Sequence, residues 1–124
     1  MKKQISTTSA PAAIGPYSQG IDADGFVYLS GQLPIDPATG NMPESAADQA
    51  EQSLDNVEAI LTEAGLSMSN VVKTLVLLAN IDDFAAVNAE YEKRFSEPFP
   101  ARSCFAVAAL PKGASVEIEV IAKA

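Results

Sequence analysis

Val71-Val-Lys-Thr-Leu-Val-Leu-Leu-Ala79 decides how this chain is built. The run is rich in leucine and β-branched residues, too short and too evenly apolar for an amphipathic helix, so it reads as a buried central strand. Helical patterns flank it on both sides. Upstream, Ala47, Ala50, Leu54, Val57, Leu61 and Ala64 recur at three- and four-residue steps, predicting a helix over 45–64 with Ser45 as cap and Gly65 as stop. Downstream, Phe84, Val87, Tyr91 and Phe95 form the stripe of a second helix, capped by Asp82 or Asp83 and ended before Glu97-Pro-Phe-Pro100.

Farther out the pattern is that of strands. A short one over 3–7 precedes the Pro/Gly-punctuated stretch Ala10-Pro-Ala-Ala-Ile-Gly-Pro-Tyr17. Strands over 18–21 and 26–30 flank the turn Asp22-Ala-Asp-Gly25, a hairpin by its turn chemistry. Gly31-Gln32 closes the second of these, and a loop over 34–43 carries another turn at Asp36-Pro-Ala-Thr-Gly40. Two last strands are expected over 102–108 and 115–122. The sum is one α+β domain over 1–124, a five- or six-stranded sheet with two helices on one face. Alternation is read as placing Arg102, Cys104, Ala106 and Ala108 on the other face, to be covered by oligomerisation.

Composition removes several function classes. The 8 basic and 16 acidic residues leave a net charge of −8 with no basic patch, so phosphate backbones would be repelled and nucleic acid is an unfavoured partner. One cysteine and no histidine supply neither a zinc tetrad nor a Cys–His dyad, and no glycine-rich phosphate cradle is present. No cofactor is called for. The apolar runs are far shorter than the roughly 20 residues a membrane helix needs, and the basic N-terminus lacks an apolar region after it, so no membrane contact is expected and the cytoplasm is the expected location.

The chemistry concentrates near the C-terminus. In Pro100-Ala-Arg-Ser-Cys104 and Val116-Glu-Ile-Glu119, period two puts Arg102 and Cys104 on one face of a strand, and Glu117 and Glu119 on one face of the next. If these strands pair across Leu110-Pro-Lys-Gly-Ala114, a guanidinium sits beside a carboxylate able to act as a base. Such a pair suits a small carboxylate substrate attacked by water.

The chain resembles the RidA family of reactive intermediate deaminases along essentially its whole length. The resemblance rests on Ala10-Pro-Ala-Ala-Ile-Gly-Pro-Tyr-Ser-Gln-Gly20, Ser30-Gly-Gln32, Gln52-Ser-Leu-Asp-Asn-Val57, Val87-Asn-Ala-Glu-Tyr91, Pro100-Ala-Arg-Ser-Cys104 and Val116-Glu-Ile-Glu-Val-Ile-Ala122. It implies a chorismate-mutase-like fold, a homotrimer with a central barrel and clefts between subunits, and no metal or organic cofactor. The implied activity is hydrolysis of 2-aminoacrylate or its tautomer 2-iminopropanoate, and of 2-iminobutanoate, to 2-keto acids and ammonia. Reactive products of pyridoxal-phosphate dehydratases are the implied source. Two other readings stay open: a 2-keto-acid-binding regulatory module, and an endoribonuclease or translation inhibitor, which the net charge disfavours.

Carried over by position, Arg102 holds the substrate carboxylate, a role its planar fork suits independently, with a structural ion pair as the plain alternative. Glu117 positions or deprotonates water, against an ordinary strand carboxylate, and Glu119 stays structural or interfacial. Tyr17, on a loop, closes the cleft from a neighbouring subunit, or else only seals the core. Cys104 lines the cleft and contacts ligand, or else only packs; with no histidine, only Arg102 or a backbone dipole could activate it as a nucleophile, and an imine needs no covalent catalysis. Asn88, Ser30 and Gly31 contact ligand at most, with helix packing or a bend as their simpler roles.

Overall fold

The computed structural model describes residues 1–124. Its elements in chain order are β1 (Lys2–Ile5), β2 (Gly20–Ala23), β3 (Phe26–Leu29), α1 (Ala46–Glu63), β4 (Val71–Leu78), α2 (Phe84–Glu92), β5 (Ala101–Ala106) and β6 (Val116–Lys123). The six strands form one mixed sheet in the order β1-β2-β3-β6-β4-β5, and α1 lies against β6 and α2.

Local chemistry explains most of the boundaries. Asp24 and Gly25 take positive φ, 54° and 88°, in the two-residue turn between paired Ala23 and Phe26, the conformation whose twist matches antiparallel strands. Asp22 stiffens the turn by accepting from the Gly25 N–H. Ser45 caps α1 by accepting from the Asp48 N–H at 3.1 Å. At the other end Gly65, at φ 77°, lets the Leu66 N–H reach back to the Leu61 carbonyl at 2.8 Å. The second helix starts differently from the expectation. Asn80, accepting from the Asp82 N–H, caps a 3-10 turn over Ile81–Asp83 that leads into α2, and Asp83 makes no side-chain cap bond.

The core lies between the helices and one sheet face. Twenty buried apolar residues form a single cluster there, among them Leu54, Val57, Ile60 and Leu61 of α1, Val76 and Leu78 of β4, and Val116, Ile118 and Val120 of β6. Two corrections concern β4. It occupies an interior position, as expected, but it is not evenly buried: Thr74, Val76 and Leu78 are inside while Lys73, Leu75 and Leu77 stay half-exposed on the face without helices. It also separates the two C-terminal strands, which were expected to pair.

That separation has a visible cause. β4 pairs in parallel with β5, which needs the long crossover through α2, and antiparallel with β6. Residues 107–115 are not a hairpin loop but step over the end of β4, held there by Val107 N–H to the Leu78 carbonyl at 2.8 Å and Ala79 N–H to the Ser115 carbonyl at 3.0 Å. β6 thereby enters between β3 and β4.

Candidate active site

The register decides which functional groups meet. Thr74 of β4 pairs with Arg102 of β5 and with Val120 of β6, and Val76 pairs with Cys104 and Ile118. Arg102 and Cys104 therefore stand on the helix-bearing face, beside α2, and not on the uncovered face where alternation had been read to put them. Leu77 pairs with Glu117 and Phe105, and Leu75 with Glu119 and Ser103, so both glutamates stand on the uncovered face. Within one chain the sheet lies between Arg102 and Glu117. Periodicity gave the faces relative to each strand, but only the strand order relates one strand's face to another's.

Around Arg102 the site is firmly built. Its Nη1 donates to Asn88 Oδ1 at 2.7 Å, and the guanidinium carbon lies 4.7 Å from the Tyr91 ring centroid and 5.7 Å from that of Phe84. The four ion pairs of the chain involve Met1, Lys93 and Arg94, and none involves Arg102. The structural ion pair considered for this arginine is absent. Arg102, Asn88, Tyr91, Glu92, Phe99 and Pro100 line an open cleft of about 440 Å³. Cys104 lies beneath it, partly buried against the core, and burial holds its thiol above the ordinary value of 9.0 although Arg102 acts in the opposite sense. A thiol kept protonated is a poor nucleophile.

On the uncovered face Glu117 rests against the backbone of Gly31. A Cβ at position 31 would stand 2.7 Å from Glu117 Oε2, so glycine is what lets the carboxylate lie there. Burial, then the neighbouring charge of Glu119, push the Glu117 carboxyl above its ordinary 4.5. Ser30 donates its hydroxyl to the Ser18 carbonyl at 2.6 Å and so joins the strand end to the loop that carries Tyr17. That tyrosine is exposed, its hydroxyl 3.4 Å from the Ile14 N–H that donates to it. Tyr17, Tyr28, Ser30, Ile121 and Glu119 share the lining of a second depression of about 500 Å³. The chain thus gathers Arg102, Asn88 and Cys104 in one group, and Ser30 with Tyr17, and Gly31 with Glu117, on the other side.

Several contributors escaped sequence reading. Gln19 is buried, receives the Thr7 N–H and donates to the carbonyls of Thr7 and Pro11, clamping the loop that leads to Tyr17. Asn56 donates to the carbonyls of Leu33 and Ile35, which anchors the segment after Gln32. Tyr91, in sequence a stripe residue of the second helix and part of the Val87–Tyr91 motif, also supports Arg102. The available signal was its polar tip on a buried face, which demands a partner. No three His, Cys, Asp or Glu side chains are grouped so as to hold a metal.

Residues 7–124 match the model of the family described as Endoribonuclease L-PSP. The chain belongs to that family. A 2-iminobutanoate/2-iminopropanoate deaminase of Escherichia coli (strain K12) is 54% identical to it, with 98% of each chain covered. Among solved structures, E. coli TdcF with bound serine superposes at a TM-score of 0.94 with 46% identity, covering 98% of both chains. RidA from an Antarctic Psychrobacter gives 0.95 at 47% identity over 98% of this chain and 99% of its own. The family resemblance and the two-helix, six-strand fold therefore both hold over the whole chain. No helix of this family member is long and apolar enough to cross a membrane.

Proposed function

We propose that the protein is a hydrolytic deaminase of 2-iminopropanoate, with 2-aminoacrylate as its tautomer, and of 2-iminobutanoate, working as one domain in the cytoplasm. The observation that carries this reading is Arg102: a guanidinium without an acidic partner, steadied by an amide and two rings, at the mouth of a small cleft. A planar fork of that kind fits a carboxylate with two parallel hydrogen bonds. The deaminase at 54% identity and the serine-bound relative support a small α-carboxylate as the ligand class.

Because one sheet separates Arg102 from Glu117, the site is completed between copies. The uncovered face presents Phe26, Tyr28 and Phe105, all exposed, together with half-exposed Leu75, Leu77 and Ile121. A second and third copy of the chain, in a trimer, bury this face and bring the Arg102 cleft of one to the Glu117, Tyr17, Ser30 and Gly31 group of the next.

In that setting Arg102 holds the carboxylate and Glu117 takes a proton from water as the oxygen attacks C2 of the protonated imine. The C=N electron pair moves to nitrogen. Glu117 then returns the proton to that nitrogen, accepts the carbinolamine hydroxyl proton as the C–N bond breaks to leave a 2-keto acid and ammonia, and passes that proton to the ammonia, which departs as ammonium and restores the carboxylate. No step needs a metal or an organic cofactor. Tyr17 closes the cleft over the intermediate.

The test is a serine or threonine dehydratase coupled assay following imine loss and ammonia release with and without this protein. Acceleration is expected. Pyruvate binding without acceleration would favour the keto-acid-binding module instead. The shared site is tested by mixing two inactive variants, Arg102→Ala and Glu117→Gln, unfolding and reassembling them together. A site between copies regains part of its activity in the mixture, whereas a site within one chain regains none.

A further inference from the structure

Thr74, Tyr91 and Arg102 form a stack that the deaminase chemistry does not by itself require. Thr74 is fully buried on β4 and is the direct cross-strand partner of Arg102. Its hydroxyl is 2.8 Å from the Tyr91 hydroxyl, a buried hydrogen bond between a strand and a helix. Tyr91 is 5% exposed, wedged against Phe95 with ring centroids 4.6 Å apart, and its face lies under the Arg102 guanidinium. Asn88, one helical turn earlier, holds the Nη1 edge. An arginine side chain left free would sample many rotamers and would have to lose that freedom on binding.

We propose that Tyr91, pinned by Thr74, is a positioning residue: its ring face fixes the Arg102 guanidinium as a preset two-point receiver for the substrate carboxylate. This rests on the reading of Arg102 as the carboxylate anchor. Burial raises the Tyr91 phenol above its ordinary 10.0, against the smaller opposing effects of Thr74 and Arg102, so the ring stays neutral throughout the working pH range. The attraction of a cation to a desolvated ring face supplies the holding force. Position 91 matters chiefly for its ring and secondarily for the hydroxyl that Thr74 holds, and position 74 for its hydroxyl.

Pyruvate titration followed by NMR, alongside imine turnover, tests the proposal on the assembled protein. Tyr91→Leu is expected to weaken pyruvate binding about tenfold and to raise KM by a similar factor while kcat changes little, since the anchor acts alike on bound substrate and transition state. Tyr91→Phe, which restores the ring, should return to within about threefold of the parent. In an Arg102→Lys background Tyr91→Leu should change binding by less than about twofold, because the two residues act as one unit. A full tenfold loss in that background, or Tyr91→Phe as weak as Tyr91→Leu, overturns the proposal. If Tyr91→Leu fails to fold, Thr74→Val keeps the shape and removes the pin. It should then weaken binding about threefold with Arg102 present and not with Lys at 102, and unchanged binding overturns the proposal. Parent protein that binds pyruvate but does not speed ammonia release defeats the deaminase reading alone, and the binding arms still decide the role of Tyr91.

Discussion

The β5/α2 edge and the uncovered face of β6 treat their charged groups in opposite ways. At the edge, Arg102 is exposed to solvent but supported on one side by its own chain: an amide oxygen, two ring faces and, beneath them, the Thr74–Tyr91 hydrogen bond. On the open face, Glu117 has the Gly31 backbone against it and a like charge two residues away, and exposed aromatic residues share its face. The cation is held by neighbours from its own chain. The carboxylate has fewer of them, and in the proposed trimer the rest come from another copy.

The largest loss is expected at Glu117. Glu117→Gln keeps the shape and cannot accept a proton, so turnover should fall by about 10²–10⁴ while pyruvate binding is retained, as measured by coupled kinetics and NMR titration. Arg102→Lys keeps the charge and loses the fork. Turnover and pyruvate binding should both weaken by about 10- to 100-fold, the worth of a charge-assisted contact, with the sedimentation coefficient unchanged. Retained pyruvate binding by this variant would mean that the carboxylate is held elsewhere.

Smaller effects are expected around the Glu117 carboxylate. Gly31→Ala would drive a methyl to 2.7 Å from Glu117 Oε2, and the carboxylate at the end of a flexible chain would be what yields. Melting temperature should barely change, whereas turnover should drop about tenfold, the order of loss that a misplaced catalytic group brings. Glu119→Gln removes the like charge that helps to raise the Glu117 pKa. The acid limb of kcat/KM, expected above 4.5 in the parent, should move down in this variant. The sign for stability runs the other way: a raised folded pKa gives a contribution present below the unfolded pKa and lost as pH rises through the folded one, so Glu117→Gln should stabilise the protein slightly at neutral pH. Cys104→Ala should cost least, within about threefold in rate, because the thiol is held protonated and lies beneath the cleft, outside its lining. Complete loss in a folded Cys104→Ala protein would restore a covalent route.

How much could be read beforehand depended on the range of the interactions involved. Ser45 and Gly65 bounded α1, Asp24-Gly25 made the hairpin turn, and the three- and four-residue spacing of Leu54, Val57 and Leu61 made a buried stripe, because caps, turn dihedrals and periodicity are local physics. Arg102 and Glu117 stood out as residue types in motifs, and the same-face pairing of Arg102 with Cys104, and of Glu117 with Glu119, followed from the strand period alone. The partners of these groups did not. Nothing local tells β6 to insert between β3 and β4, since pairing is chosen by burial of whole strands and by where 107–115 can pass. The β4–β5 register set Arg102 on the helix face and the β4–β6 register set Glu117 on the other, so the two are not an intrachain pair. The packed sheet also gave Tyr91, legible in sequence as a stripe residue and part of the Val87–Tyr91 motif, a threonine to bond and an arginine to support. Elements, amphipathic faces and the chemical groups available follow from local residue patterns; which of those groups come together follows from strand order and crossover, which are properties of the packed sheet and of no segment within it.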